Sequence, residues 1–310
     1  MSHLSPILLF VYNRPQHTIE TLNALKNNFL AKESDLYIFS DAPKDERQVK
    51  RVNEVRKIIE NTEGFKSVNI IKAEQNKGLA NSIIEGVTNI INHFGKVIVL
   101  EDDLVTSPTF LRYMNNALNL YSQDDRIWSI SGYSPNFQIS STYKDDVYLA
   151  PRGSSWGWAT WKDRWNLVDW DIKDYEEFKN NISSRKQFNK GGNDLAFMLD
   201  DQMAGRIDSW AIRWVYNQYK QSKYTIYPTK SLVKNIGLDF SGTHSSKTKK
   251  YHVDLYDGDI DFPSRLIIDK EILRDFKAFY DLNFTGYLGV LCRKFGIYHQ
   301  VKKIRKIIGI

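Results

Sequence analysis

A strand that ends in three acids, residues 96–104 (KVIVLEDDL), limits the folds open to this chain more than any other segment. Its β-forming residues lead directly into Glu101, Asp102 and Asp103. Unpaired buried charge is very costly, so three adjacent acids cannot lie inside a sheet. We therefore expect them at the carboxyl end of a buried strand, where open α/β sheets bind their ligands.

Carboxylates in that position have hard oxygen atoms that suit Mg²⁺ or Mn²⁺ shared with a phosphate. The segment therefore predicts a metal site for a nucleotide-linked substrate. The alternative is an acidic strand end that merely begins the next loop. The rest of the chain favours the metal site, because the ends of the preceding strands carry residues suited to binding a nucleotide.

The first hundred residues alternate short apolar runs with helical patterns. Strands are predicted at 7–11, 36–39, 68–71 and 97–100, with helices at about 17–27, 46–61 and 76–94. Alternation at these lengths indicates βαβ units and a largely parallel sheet. The predicted fold class is α/β, and residues 1–103 are predicted to form the nucleotide-binding half of a larger domain.

The sequence pattern becomes less regular after residue 103, where a second, aromatic half, residues 104–285, is predicted to complete a domain of residues 1–285. All eight tryptophans lie between Trp128 and Trp214. A basic tail, residues 286–310, follows with six Lys or Arg and no acid. On a helix its isoleucines and its cations fall on opposite sides, which predicts contact with an anionic membrane surface through residues 293–308. The alternative is a terminal helix docked by its isoleucines.

Composition restricts the setting of the protein. The single cysteine, Cys292, excludes an internal disulfide and fits a reducing compartment. The apolar run from Pro6 to Tyr12 is too short for a signal peptide or a membrane span. No nucleic-acid reader motif accompanies the net charge of +6, so nucleic acid is not expected as a partner. We predict a cytoplasmic protein, or one on the inner face of the cell membrane.

The other strand ends carry groups suited to a nucleotide. After the first strand, Tyr12 offers a ring to stack on a base, and Arg14 offers a guanidinium to a phosphate. After the second, Asp41 is placed to accept a hydrogen bond from a base N–H. Asn76 and Lys77 open the third helix, where backbone N–H groups and one cation favour phosphate. No Walker A or GxGxxG sequence is present, which disfavours P-loop and dinucleotide-binding proteins.

These motifs resemble the GT-A fold of metal-dependent nucleotide-sugar glycosyltransferases. Residues 97–110 (VIVLEDDLVTSPTF) and 128–131 (WSIS) are similar to the N-acetylglucosaminyltransferase I group. Residues 156–161 (WGWATW) and 241–244 (SGTH) resemble segments of bacterial surface-polysaccharide glycosyltransferases. The resemblance covers roughly residues 6–244 and implies a Rossmann-like, mostly parallel sheet with an aromatic-rich acceptor half.

The resemblance also implies roles for individual residues. Asp103 would coordinate Mn²⁺ or Mg²⁺ bridging a diphosphate, and Glu101 and Asp102 would contact the donor sugar or ribose. Arg14 would lie near the diphosphate and Asp41 would bond the uracil of a UDP-sugar.

An inverting base is implied in an acid-acid-Trp segment downstream, and residues 208–210 (DSW) match it best, with Ser209 in place of the second acid. Asp208 is therefore the base candidate. The pair Asp200 and Asp201 is the alternative, and Asp194 is a further rival. The base must lie within hydrogen-bond reach of the acceptor hydroxyl.

The aromatic and loop motifs suggest additional contacts. Trp156, Trp158 and Trp161 are candidates for an acceptor platform, although most tryptophans belong mainly to the core. His244 is a candidate for completing the metal shell or touching the diphosphate.

The predicted function is an inverting, metal-dependent glycosyltransferase of the hexosyltransferase type. It would move a sugar from a UDP-type donor to a hydroxyl of a glycan or lipid-linked glycan in bacterial surface-polysaccharide synthesis. Two alternatives are a nucleotidyltransferase that makes sugar nucleotides, and a non-catalytic glycan-binding or scaffold protein of the same fold. The first would normally carry a Gly-rich basic loop after strand one, which this sequence lacks.

Overall fold

A central eight-stranded sheet organises the protein, of which the computed structural model describes residues 4–238 and 250–294. The strands, including two of a second small sheet, are β1 (Ile7–Val11), β2 (Asp35–Ser40), β3 (Ser67–Lys72), β4 (Lys96–Glu101), β5 (Leu104–Thr106), β6 (Ile127–Ser131), β7 (Val147–Ala150), β8 (Trp158–Trp161), β9 (Tyr224–Pro228) and β10 (Val233–Asn235).

The helices follow the strands in regular alternation only in the first hundred residues. They are α1 (Pro15–Lys26), α2 (Glu46–Glu60), α3 (Gly78–Phe94), α4 (Phe110–Leu120), α5 (Lys162–Trp165), α6 (Tyr175–Asn180), α7 (Ile182–Phe188), α8 (Leu195–Met203), α9 (Trp210–Lys220), α10 (Lys270–Tyr280) and α11 (Phe284–Lys294). Short 3-10 turns lie at Ala31–Glu33 and Asn189–Gly191.

The strand order in the large sheet is β3-β2-β1-β4-β8-β6-β9-β7. Strands β1 to β4 are mutually parallel where they pair, and β6 pairs in parallel with β9. The pairs β4–β8, β6–β8 and β7–β9 are antiparallel, so only β7 and β8 run against the other strands. The predicted α/β class with a mostly parallel central sheet is confirmed.

Two hydrophobic cores cover the two faces of this sheet, and the side chains of β4 alternate between them. Ile98 and Leu100 pack in the core that contains α1, α2 and α4, whereas Val97 and Val99 pack in the core of α3, α8 and α9. Side chains of a strand alternate between its faces. Glu101, the last residue of β4, therefore belongs to the α3 and α9 side.

The four strands and three helices predicted in residues 7–100 are present, with ends shifted by at most two residues. The segment after the acids contains a further short strand before the next helix. Residues 104–106 form β5, which pairs antiparallel with β10, and α4 begins only at Phe110. Strand β5 could not be recognised in the sequence, because three residues are too few to show the alternation typical of a strand.

Helix α11 continues the chain across residue 285, the predicted end of the catalytic domain. Most of the basic tail lies outside the described residues, including Lys302, Lys303, Arg305 and Lys306. In the parts of the chain that are described, no helix combines the length and the apolar character needed to cross a membrane.

Candidate active site

The acids form a turn where the central strands end. Glu101 closes β4, and Asp102 and Asp103 connect it to β5. Strand β1 lies beside β4 with Phe10 opposite Glu101, so the residues that follow β1 reach the same turn. Residues from two separate βα units therefore meet at the carboxyl edge of the sheet.

Arg14, at the start of α1, joins both aspartates. Its Nη1 lies 2.9 Å from Asp103 Oδ2, and its Nη2 pairs with Asp102 Oδ1. The backbone N–H of Tyr12 donates to Asp102 Oδ2 at 3.2 Å. Burial opposes the charge of Arg14, but the neighbouring Asp102 and Asp103 carboxylates prevail and raise its pKa. The guanidinium is thus permanently charged and held by two acids.

The acid turn carries more negative charge than one arginine neutralises. Burial, followed by the charges of Asp103 and Asp102, raises the pKa of Glu101 to about 8 despite the opposing effect of Arg14. Burial also raises the pKa of Asp102, against the stabilising charge of Arg14. Clustered carboxylates with raised pKa values are a feature of functional sites. An additional cation would be favourable here.

Gly237 closes the turn from the opposite side. The N–H of Ile236 donates to the carbonyl of Asp103 at 2.9 Å, which brings the chain after β10 against the acids. A methyl group at Gly237 would lie 2.1 Å from Asp103 Oδ2 and 2.8 Å from Arg14 Nη1. No motif in the sequence predicts this contact. His244, predicted to join the metal shell, follows shortly afterwards and lies outside the described residues.

Asp41 has a different role from the predicted one. Its Oδ1 accepts the N–H groups of Ala42 at 2.8 Å and Lys77 at 2.9 Å. Its Oδ2 accepts from Asn76 Nδ2 at 3.0 Å and from the N–H of Gly78 at 2.9 Å. A carboxylate has about four acceptor positions, and all are occupied. The prediction that Asp41 bonds uracil directly does not fit this arrangement, because the carboxylate holds the turn that begins α3.

The other nucleotide candidates surround this turn. Tyr12 Oη donates to Gln48 and accepts the N–H of Lys44 at 3.1 Å, which fixes the ring near the start of α2. The Lys77 ammonium pairs with Glu85 on α3. A groove of about 650 Å³ runs beside the ends of β2 and β3 and includes Asp41 and Lys77 in its walls. Its size is that of a small-molecule site.

The three base candidates differ in availability. Asp200 forms a bidentate pair with Arg185 at 2.8 and 2.7 Å, and Asp201 lies 2.7 Å from both Arg206 and Arg293. The side chain of Asp208 is 67% exposed, and its closest arginine nitrogen, on Arg213, is 3.8 Å away. Asp200 and Asp201 stabilise the packing of α8, so of the three Asp208 is the carboxylate free to take a proton.

Asp208 lies on the same side of the sheet as Glu101. It precedes Ser209, whose hydroxyl caps α9 by accepting the N–H of Ile212 at 3.3 Å. A methyl group at Gly78 would lie 3.9 Å from Asp208 Oδ2, so the carboxylate faces the start of α3. Glu101 belongs to this same α3 and α9 side. The rival Asp194 instead forms a bidentate pair with Arg152 at 2.7 and 2.9 Å.

Two of the three predicted acceptor tryptophans are core residues. Trp158 is 1% exposed and stacks on Trp165 and Trp210. Trp161 is also buried, and its Nε1 donates to the carbonyl of Leu118 at 2.9 Å. The prediction that these two line an acceptor platform is wrong, because neither ring is accessible. Trp156 is only partly buried and lines a cavity in the aromatic half.

The acid turn has the oxygen atoms that a divalent ion requires. Over residues 4–238 and 250–294, no three His, Cys, Asp or Glu side chains converge as a complete ion cage. Mg²⁺ and related ions, however, are commonly held by one or two carboxylates together with substrate phosphates. Asp103 uses only one carboxylate oxygen in its pair with Arg14. The residues therefore fit an ion that the protein holds through Asp103 and shares with a phosphate.

Comparison with known proteins gives one family match. Residues 87–187, which are 101 of the 310 residues and include the acid turn, match the GNT-I family. This confirms the resemblance to the N-acetylglucosaminyltransferase I group and agrees with the predicted GT-A glycosyltransferase class. No curated protein sequence matches the chain.

Three solved structures show low similarity. Mannosyltransferase PcManGT from Pyrobaculum calidifontis, solved with GDP-Man and Mn²⁺, has 11% identity and a TM-score of 0.34 over 51% of this chain and 44% of its own. S. aureus TarS has 12% identity and a TM-score of 0.39 over 74% of this chain and 36% of its own. Galactosyltransferase LgtC, solved with donor and acceptor sugar analogues, has 9% identity and a TM-score of 0.38 over 71% and 72%.

The chain thus spans less than half the length of the first two structures. Similarities at this level say nothing about its activity.

Proposed function

We propose that this protein is an inverting, metal-dependent glycosyltransferase that moves a sugar from a UDP-sugar to a hydroxyl of a glycan. One observation carries the proposal. Asp102 and Asp103, which lie within the segment similar to the GNT-I family, meet Arg14 at the carboxyl edge of the parallel strands. The proposed setting is the synthesis of bacterial surface polysaccharide or a related glycan.

The donor would bind with its diphosphate at the acid turn. Asp103 would hold Mn²⁺ or Mg²⁺, and the bound ion would stabilise the negative charge that develops on the departing diphosphate. Arg14 lies beside Asp103 and would contribute a second, permanently charged donor to the same phosphates. Glu101 and Asp102 would orient the donor sugar or ribose, and the ring of Tyr12 would stack on the nucleobase of the donor.

Asp208 would act as the general base. An inverting transfer requires a carboxylate that removes the proton from the acceptor hydroxyl as that oxygen attacks the anomeric carbon. Asp208 is exposed and faces the start of α3, on the side of the sheet to which Glu101 belongs. His244 remains a proposed ligand of the ion or the diphosphate.

The decisive experiment measures UDP binding by calorimetry with and without Mn²⁺. Asp103→Ala should abolish the Mn²⁺-dependent part of the binding, because it removes the ligand that the protein supplies. Asp275→Ala is the matched control, since Asp275 lies on α10 and pairs only with its neighbour Arg274 among the described residues. Binding that chelator leaves unchanged, or equal affinity in wild type and Asp103→Ala, would refute the metal-dependent mechanism.

Assays of the reaction catalysed by the wild-type protein distinguish the alternative functions. A nucleotidyltransferase would form a UDP-sugar from UTP and a sugar 1-phosphate, whereas the proposed enzyme would hydrolyse UDP-sugars slowly without an acceptor. A glycan-binding scaffold would do neither. A screen of UDP-, GDP- and dTDP-sugars with Mn²⁺ therefore tests the donor class and the reaction together.

We further propose that the acceptor is presented at an anionic membrane surface. Phe284 and Leu288 lie one turn apart on α11 and expose 77% and 37% of their surface, and Tyr287 beside them exposes 39%. The chain after α11 carries four more basic residues and no acid. Apolar side chains beside basic residues are the pattern of helices that lie in a lipid interface. A lipid-linked glycan would be reached from that position.

A further inference from the structure

Helix α11 is held against helix α8 by side chains spaced by four residues. Asn193, just before α8, donates from Nδ2 to Tyr287 Oη at 2.7 Å. The rings of Phe197 and Tyr287 meet edge to face, with centroids 6.0 Å apart. One turn further along α8, Asp201 pairs with Arg293 of α11. Residues four apart lie on the same side of a helix, so these contacts dock α11 along one side of α8.

The carboxylate of Asp201 is shared by two separate parts of the chain. The residue is 4% exposed; its Oδ2 accepts from Arg293 Nε and its Oδ1 from Arg206 Nε, both at 2.7 Å. Arg293 belongs to α11, whereas Arg206 lies in the loop of residues 204–208 that joins α8 to α9. A buried carboxylate requires such partners, and hydrogen bonds between ionised groups are the strong ones. One side chain therefore connects α11 to this loop.

Both ends of the loop are tied to the last turn of α8. Gly205, with a φ of 67°, donates its N–H to the carbonyl of Gln202 at 3.0 Å, and Arg206 donates its N–H to the carbonyl of Asp201 at 2.9 Å. This pair of bonds is the Schellman motif that commonly ends a helix. At the far end, the N–H of Ser209 donates to Gln202 Oε1 at 2.6 Å. Asp201 and Gln202 thus fix the path of the loop.

The carboxylate of Asp208 depends on this loop for its position. Asp208 follows Arg206 by two residues and immediately precedes Ser209, the cap of α9. Its side chain is 67% exposed, and the nitrogen of Arg213 with which it pairs is 3.8 Å away, beyond hydrogen-bond distance. Neither packing nor a short contact with that arginine holds the carboxylate. Its location is therefore set by the backbone of residues 204–208.

We propose that Asp201 is a positioning residue for the catalytic base, and that α11 takes part in this positioning through Arg293. Loss of the Arg293 contact would loosen Asp201, then Arg206, and with them the loop that carries Asp208. The inference rests on the proposed function, since Asp208 is a base only in that enzyme. On this proposal α11 contributes to catalysis as well as to membrane contact.

The first measurement is amide hydrogen exchange of the full chain, which needs no substrate. Arg293→Ala should increase exchange in residues 205–209 by roughly tenfold, the effect of losing one charge-assisted hydrogen bond. Arg274→Ala is the matched control, because it removes an arginine of α10 that is 69% exposed and pairs with its neighbour Asp275. Unchanged exchange of the loop in Arg293→Ala would refute the inference, whatever the protein catalyses.

The second measurement is the turnover of sugar transfer from UDP-glucose, UDP-galactose and UDP-N-acetylglucosamine to octyl glycosides of the same three sugars. Arg293→Ala should lower kcat about tenfold with unchanged UDP affinity, less than the roughly 10²-fold loss from a 1 Å misplacement, because Arg206 still binds Asp201. In an Asp208→Asn background, the same change should have no further effect, because no base remains to be positioned. Arg293→Lys should restore most of the rate, because its ammonium can still pair with Asp201.

The kinetic outcomes separate the two proposals. An equal loss of rate with and without Asp208 would show a general structural role and refute the positioning of the base, while the proposed function stands. If Arg293→Ala lowers the unfolding temperature, Arg206→Ala gives the same comparison without disturbing α11, and wild-type kcat in that variant would also refute the inference. A wild type that transfers no sugar would refute the proposed function, and the catalytic role of Asp201 with it.

Discussion

Gly237→Ala offers a direct test of the acid turn, because it adds one methyl group at the most crowded point of the site. That methyl would lie 2.1 Å from Asp103 Oδ2 and 2.8 Å from Arg14 Nη1. Non-bonded carbon and oxygen atoms prefer separations of about 3.5 Å, so the Asp103 carboxylate must move by roughly 1 Å. A misplacement of that size in a catalytic site reduces the rate by about 10²-fold.

The assay measures Mn²⁺-dependent UDP affinity by calorimetry and sugar transfer by turnover. We expect Gly237→Ala to lose most of both while it keeps its unfolding temperature, because the φ angle of Gly237 lies outside the left-handed region and alanine fits the backbone. Gly286→Ala is the control, since its methyl meets only flexible side chains, the nearest carbon being on Leu282 at 3.0 Å. Wild-type UDP affinity in Gly237→Ala would refute the assignment of Asp103 to the donor site.

Two further predictions concern the base and the tail. Asp208→Asn keeps the size of the side chain but cannot take a proton, so sugar transfer should fall roughly 10²–10⁴-fold with little change in UDP affinity. Normal transfer by Asp208→Asn, together with inactivity of Asp200→Asn or Asp201→Asn, would assign the base to that pair. A chain ending at Gly296 should no longer sediment with anionic vesicles at low salt, because each basic residue near the membrane surface contributes about 1 kcal/mol to binding. The shortened chain should keep its turnover on soluble acceptors. A full-length chain that ignores such vesicles would contradict the membrane proposal.

The sequence allowed the nucleotide half to be predicted because each of its features is local. Strands β1 to β4 are short apolar runs between amphipathic helices, and their ends follow from hydrophobic period alone. In a parallel block, the carboxyl ends of neighbouring strands share one edge. This geometry is why Arg14, after β1, could be expected near Asp102 and Asp103, after β4, across almost ninety residues of sequence.

Features that depend on packing at long range could not be predicted in the same way. The motif at 156–161 contains three tryptophans, but β8 lies inside the sheet between β4 and β6, and this position buries Trp158 and Trp161. Only Trp156, before the strand, remains near a cavity. Likewise, the contact of Gly237 with Asp103 depends on the pairing of β10 with β5, and both strands are too short to be recognised in the sequence.

The charge balance of the acid turn explains why the proposed donor and the divalent ion should bind together. Asp102 and Asp103 share the single guanidinium of Arg14, so the carboxylates of the turn outnumber its cations and its net charge is negative. A diphosphate alone would meet this negative charge and be repelled. A divalent ion at Asp103 reverses the sign of the turn, so each ligand should raise the affinity for the other by the same factor. Calorimetry can measure that reciprocity by titrating Mn²⁺ at fixed UDP and UDP at fixed Mn²⁺. Independent binding of the two would contradict a shared site at Asp103.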